Sequence, residues 1–374
     1  MTEARKPFIP IARVELSDAE IEAAAAVLRS GRLVQGPQTE AFERRFAEVV
    51  GAKHAIATSS GTAALHVAYM ALLEPGSDVL VPTFSHISTA SMVHFAGCRP
   101  VLCDIDPRTF TLDLDDAERR LTPNTRAIVG VHLFGNACAI DEVLKFARAH
   151  GLRVVWDAAQ AHGTRYRGRD VGSFPDLVCY SFYPTKNLFV GEGGMITTND
   201  DELAERCRLL RSHGQTRKYE HPVLGFNYRL TEVEAAIGLK QLERLDERVR
   251  RRRENAAFLT ERLSRLDGIQ TPYVPEGVEH SYHQYSILVD PETLGRTRDE
   301  LARALHEQGV GTGVHYPRPI HKQPAFERLL GEQHLPVSER VAERILSLPV
   351  HPALTRDDLE RICTAVERAV HLRA

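Results

Sequence analysis

Apolar residues along this chain gather into short runs, separated by longer segments in which apolar and polar positions mix at helical spacing. The runs HAIAT (54–58), VLVP (79–82), RPVLCDI (99–105), AIVGVHLFG (127–135) and RVVWD (153–157) read as strands. Between and after them, 38–49, 62–73, a segment from about Thr89, 139–150 and 200–213 read as helices. Strand and helix in regular alternation predict a mostly parallel sheet with helices on both faces, a doubly wound α/β domain. Two further strands, LVCYS (177–181) and GMITT (194–198), complete it.

The flanks predict the rest. An extended arm (7–16) leads into a helix opened by the capping pair Ser17 and Glu20 and closed near Gly31, followed by the loop RLVQGPQT (32–39). Downstream, Thr231 with Glu234 opens a long helix over about 231–263, with Val233, Ile237, Leu242, Leu245 and Val249 at its apolar positions. A helix of that length typically leaves one domain for another. The remaining segment, 264–374, reads as a smaller α+β domain: strand SYHQYSILV (281–289), helix 298–307, a return segment GTGVHYPRPIH (311–321) and two or three C-terminal helices. The predicted organisation is a large domain over 1–245 and a small one over 246–374.

Composition narrows the class. A chain of 374 residues is too long for one ordinary core. With 26% charged residues and a formal net charge of −3, it offers no basic surface of the kind that binds nucleic acid. No apolar run approaches the ~20 residues that cross a bilayer, and the N-terminal MTEARKPFIP lacks the apolar core of a signal peptide, so a cytoplasmic protein is expected. The six cysteines (98, 103, 138, 179, 207, 363) have no metal-site spacing and read as reduced, buried thiols.

Three places carry candidate chemistry. Asp157 ends the apolar run LRVVW, at the strand end where open α/β sheets place their ligands, and an acid there needs a partner to offset its desolvation. Lys186 stands in the tight turn YPTKN (183–187), shortly before GEGG (191–194). Its amine suits the Schiff base of a pyridoxal phosphate (PLP) enzyme, with Asp157 keeping the pyridine nitrogen protonated. The plainer reading is a surface lysine and a strand-end acid. Ser59, Ser60, Gly61 and Thr62 open a helix whose first N–H groups and dipole favour an anion such as a phosphate. Serine and threonine are also simply good N-caps.

These segments resemble the DegT/DnrJ/EryC1/StrS aminotransferases, the sugar-aminotransferase branch of fold-type I PLP enzymes. The resemblance is carried by DAAQAHG (157–163), SFYPTK (181–186) and GEGG, and extends to SSGTAAL (59–65), VPTFSHISTAS (81–91), GFNYRLTEVEAAIGLKQL (225–242), VHYPRPIHKQPAF (314–326) and LSLPVHPALT (346–355). It implies that Lys186 carries PLP and acts as the catalytic base beside Asp157. Ser60, Gly61, Thr62 and Ser181 would hold the phosphate, and Gln160 would meet the ring-hydroxyl side. Asn227 would reach the phosphate of a neighbouring subunit's cofactor, making the protein a homodimer with shared sites. Tyr183, Arg229, His315, Tyr316 and His321 are implied substrate contacts. The spacing H-x5-H between the two histidines, on a proline-broken loop, argues against a metal site.

His86 departs from the family pattern, which has an aromatic residue stacked on the pyridine ring. Either the imidazole stacks in its place, or Phe84 shifts by a register and His86 is a polar loop residue. The implied reaction moves an amino group from an amino acid, L-glutamate by resemblance, to a nucleotide-linked 3- or 4-keto-deoxysugar. A keto-cyclitol acceptor, a non-transaminating PLP enzyme and a PLP-binding regulator are the alternatives. Lys186 disfavours the related dehydratases, which have histidine at that position.

Overall fold

In the computed structural model, which describes residues 7–371, the alternating runs form one seven-stranded sheet. Its strands are β1 (His54–Thr58), β2 (Asp78–Pro82), β3 (Arg99–Cys103), β4 (Thr125–Val131), β5 (Arg153–Asp157), β6 (Leu177–Ser181) and β7 (Gly194–Thr198), in the order β1-β7-β6-β5-β4-β2-β3. Strands β2 to β6 pair in parallel, and β7 is antiparallel to both of its neighbours. Residues 1–6 and 372–374 lie outside the described residues.

The apolar runs are continuous because both faces of the sheet are covered. Ile56, Val79, Val81, Val129 and Val155 point into one core cluster, while Ala55, Ala57, Leu80, Ile128, Val154 and Trp156 point into the other. A third cluster gathers Ala256, Leu259, Leu263, Tyr285, Ile287, Leu301, Leu346 and Ile362 around a three-stranded antiparallel sheet of Ile269–Gln270, Tyr285–Val289 and Ile345–Leu348. The N-terminal arm joins this third cluster through Ile9, whose N–H donates to Gly309 O at 2.9 Å.

Three expectations are corrected. The long helix is two helices, Glu232–Glu243 and Leu245–Leu263, broken at Arg244 (φ −113°, ψ 2°) without Pro or Gly. Packing decides this, since Leu242, Leu245 and Val249 serve the large sheet's cluster while Ala256, Leu259 and Leu263 serve the third. The run 127–135 ends as a strand at Val131 and turns into a 3-10 helix over Leu133–Gly135. The strand expected over 281–289 begins only at Tyr285. Ahead of it, Ser281 N–H donates to Gly135 O (2.9 Å) and Gln284 N–H to Phe134 O (3.2 Å), so these residues bond to the loop after β4 instead of to a strand ladder. All six cysteines are buried and unpaired.

Candidate active site

The parallel strands deliver their C-terminal ends to one cavity of about 510 Å³. Asp157, the last residue of β5, is buried between the ends of β4 and β6. Its Oδ2 accepts from Thr89 Oγ1 at 2.7 Å and its Oδ1 from Ala159 N–H at 3.1 Å. Because Thr89 spends its proton on Asp157, the Ser85 hydroxyl must be the donor in the 2.8 Å Ser85–Thr89 contact. The chain Ser85–Thr89–Asp157 therefore fixes the carboxylate's orientation and leaves it acceptor capacity toward the cavity.

The helix Gly61–Leu72 points its N-terminus at the same space. Ser60 is its N-cap, accepting from Ala63 N–H at 3.0 Å, which leaves the first-turn N–H groups of Gly61 and Thr62 for a ligand. Glycine is required here by contact: a Cβ on Gly61 would sit 2.6 Å from Ser181 Cβ, and one on Gly194 would sit 2.4 Å from Ser60 O. The helix start thus nests against the ends of β6 and β7, and Ser181 is brought beside it.

Lys186 lies in a turn closed by its own N–H on Tyr183 O (2.9 Å). The next residue, Asn187, donates to His162 O (3.4 Å) and Ser281 O (3.2 Å), anchoring the turn on both sides. Burial lowers the Lys186 amine to about 8, partly opposed by the Asp157 charge. An amine so placed loses its proton far more readily than a surface lysine.

Gln160 and Tyr316 close the opposite wall. Gln160 Oε1 accepts from Phe134 N–H (2.8 Å) and its Nε2 donates to Tyr316 Oη (3.0 Å). His315 lines the cavity, with Nδ1 3.3 Å from Ser347 Oγ; burial, with the Lys186 cation, lowers it to about 4, so it stays neutral at physiological pH. His86 presents its ring to the cavity and is braced by Ser88 Oγ at 2.7 Å. Phe84 is wholly buried in the core against Phe110 and Tyr316, so the register that would put Phe84 in the cavity does not occur. Tyr183 lies at the mouth, about half exposed.

Three expected site residues lie elsewhere. Asn227 is exposed and bridged to Ser212, and Arg229 is half-buried just beyond it; neither lines this cavity. The stretch they occupy is nonetheless pinned to the turn ahead of the helix Gly61–Leu72, with Ser59 N–H donating to Tyr228 O at 2.7 Å. His321 is fully buried between Thr83 and Glu339 and lies outside the cavity. Residues that the sequence did not single out include Ser85, in the loop before the helix Ser88–Phe95, Thr89, in that helix's first turn, and His283, whose buried Nδ1 has no partner among the described residues. A neighbouring cavity of about 630 Å³ shares Thr185 and Lys186 with the first. Its arginines are engaged: Arg13 with Glu15, Arg244 with Glu247, Arg248 with Glu20, Arg251 with Glu254, and Arg252 with the carbonyls of Tyr282 and His283.

The model of the DegT/DnrJ/EryC1/StrS aminotransferase family matches residues 14–367. The chain is 38% identical over 373 residues to the UDP-N-acetyl-3-dehydro-alpha-D-glucosamine 3-aminotransferase of Acidithiobacillus ferrooxidans, covering 99% of this chain and 98% of the relative. It is 41% identical over 333 residues to the GDP-perosamine synthase of Caulobacter vibrioides, covering 88% and 89%. Among solved structures, S. venezuelae DesV, crystallised with a ketimine intermediate, superposes with a TM-score of 0.94 at 37% identity, covering 99% of this chain and all of that one. With a buried acid at a strand end, a lysine in an anchored turn and a helix N-terminus meeting in one cavity, this chain belongs to the DegT/DnrJ/EryC1/StrS aminotransferase family.

Proposed function

We propose that this aminotransferase uses PLP to move an amino group from L-glutamate to a nucleotide-linked keto-sugar. The observation that carries the cofactor is the fit of three groups to three parts of one molecule. Asp157 offers a buried carboxylate to a protonated ring nitrogen; Gly61, Thr62 and Ser181 offer donors to a phosphate; Lys186 offers a low-pKa amine to the aldehyde. When bound, PLP supplies the electron sink that makes a Cα proton removable.

The chain's own residues then divide the work. Lys186 takes up and returns the proton at the substrate carbon, a role that its amine near 8 suits. Asp157, held by Thr89 and Ala159, keeps negative charge at the ring nitrogen. Gln160, bonded to both Phe134 and Tyr316, sets the ring-hydroxyl side, and His86 offers an imidazole face to the ring. Asn227, exposed outside its own chain's cavity, would serve the phosphate site of a second copy, and Arg229, two residues on, an acidic group of the substrate. Tyr183, His315 and Tyr316 face the acceptor; His321 does not. The reading is of a cytoplasmic homodimer.

The acceptor class rests on the relatives, whose named activities lie on UDP- and GDP-sugars; this favours a nucleotide sugar over a cyclitol. The test is to incubate the PLP-loaded protein and L-glutamate with UDP-linked 3-keto and GDP-linked 4-keto sugars, and to weigh the products. An aminated nucleotide sugar is expected. A holoenzyme that consumes glutamate but aminates only a keto-inositol would overturn the acceptor, and one that leaves glutamate untouched would overturn the reaction.

A further inference from the structure

We infer that His321 is a positioning residue: through Thr83 it locks the two walls of the cavity that carry His86 and Tyr316, and it does not touch substrate. Thr83 directly follows β2 and is itself fixed, its N–H donating to Cys103 O at 2.9 Å. From it run Phe84, Ser85 and His86, and then the helix that carries Thr89 to Asp157. On the other side, the segment Tyr316–His321 arrives from the third core cluster's part of the chain. Ile320 N–H donates to Thr83 O (2.8 Å), and His321 N–H to Thr83 Oγ1 (3.2 Å).

The side chains complete the lock and determine the histidine's tautomer. Glu339 Oε1, 2.9 Å from Nε2, can only accept, so Nε2 carries the ring's proton, and burial disfavours a second one. Nδ1 is therefore the bare nitrogen, accepting from the Thr83 hydroxyl at 2.8 Å while Thr83 Oγ1 accepts from His321 N–H. Glu339 also accepts from Leu335 N–H at 3.1 Å, at the start of the helix Pro336–Arg344. One wholly buried imidazole thus ties the end of a large-sheet strand to a helix more than 200 residues away in the chain. Above this tie the two walls meet ring to ring: Tyr316 lies 6.0 Å from Phe84 and 6.2 Å from His86.

A second fastener beside it gives a control. Asp104, the residue after β3, accepts from Val337 N–H (2.9 Å) and Ser338 N–H (2.8 Å) and holds the same helix; its hydrogen bonds go to neither Thr83 nor His321, though its charge favours a proton on His321. The two fasteners should therefore fail differently.

The test exploits amide geometry, since asparagine places an acceptor where Nδ1 stood, while glutamine places a donor where Nε2 stood. The proposal rests on the PLP reading, so cofactor affinity is measured separately from turnover, by quenching of the single tryptophan, Trp156, which adjoins Asp157. His321→Gln and Thr83→Val should each weaken PLP binding by about fivefold to tenfold and raise the acceptor KM more than they lower kcat. His321→Asn and Thr83→Ser should stay within about twofold of wild type, and the double variant Thr83→Val/His321→Gln should be no worse than either single one. Asp104→Asn should lower the melting temperature and leave PLP affinity unchanged. If His321→Asn is as impaired as His321→Gln, or if Thr83→Val binds PLP like wild type, the inference is wrong. A wild type that binds PLP but aminates no keto-sugar would overturn the proposed reaction alone.

Discussion

The two halves of the cavity wall are built by different means. The half made by Asp157, Gly61, Ser181 and Lys186 comes from the ends of parallel strands and from the turns immediately after them. Its groups are placed chiefly by nearby bonds, Ala159 on Asp157, Ala63 on Ser60 and Tyr183 on Lys186, with two longer ties, Thr89 on Asp157 and Ser281 on Asn187. In the half made by His86, His315 and Tyr316, His86 has a local brace in Ser88, and the rest is placed by partners far away in sequence, with Gln160 on Tyr316, Ser347 on His315 and His321 on Thr83. The first half is rigid by topology. The second depends on how two core units pack, so on the proposed reading a change there alters acceptor binding at a modest cost in cofactor affinity.

That contrast orders the expected effects. Lys186→Ala should lower turnover by about 10⁴-fold or more, because base and cofactor attachment are lost together; a product assay by mass spectrometry measures it. Asp157→Ala should cost about a hundredfold to a thousandfold, by removing charge at the ring nitrogen. Gly61→Ala should destabilise the fold by about 1–3 kcal/mol and weaken PLP binding, because its Cβ would overlap Ser181; denaturant unfolding and cofactor titration read the two separately. On the other half, Tyr316→Phe should reduce kcat/KM for the acceptor only about threefold to tenfold, the cost of leaving Gln160 Nε2 without its partner. An effect of Tyr316→Phe as large as that of Asp157→Ala would erase the distinction between the halves.

The same distinction is visible in pH dependence. In the cofactor-free protein burial holds the Lys186 amine at about 8, against 10.5 ordinarily. In the unfolded chain it stays protonated up to the higher value, so between these pH values the unfolded state holds more protons and this group makes stability rise with pH. Lys186→Met should flatten that rise by up to about 3 kcal/mol, measured as the difference between the two proteins' unfolding free energies at pH 8 and 10.5. His315, lowered to about 4, adds a further rise from about pH 4 to 6.5, where the unfolded chain's imidazole holds the proton that the folded one has lost.

Legibility in the sequence divides along the same line. The strands, the capping at Ser60 and the acid at the end of RVVWD could be read because period, caps and strand-end chemistry are local. The family resemblance put Lys186 and Ser181 in one site, and both line the same cavity. The break at Arg244 was hidden because its apolar stripe continues unbroken while the surface it packs on changes. His321 looked like a pocket residue because HYPRPIH reads as one loop, whereas only the folded chain shows Thr83 and Glu339 on either side of its ring. Thr89 went unread because a threonine in a helix's first turn looks like ordinary capping until Asp157, 68 residues on, is placed against it.

The most direct test of the central claim, that Lys186 is the cofactor-bearing base, is borohydride reduction of the PLP-loaded protein followed by peptide mapping. A phosphopyridoxyl group is expected on Lys186 alone, abolished when L-glutamate is added before the reductant. A label on any other lysine, or a Lys186 label that glutamate does not remove, would contradict the claim.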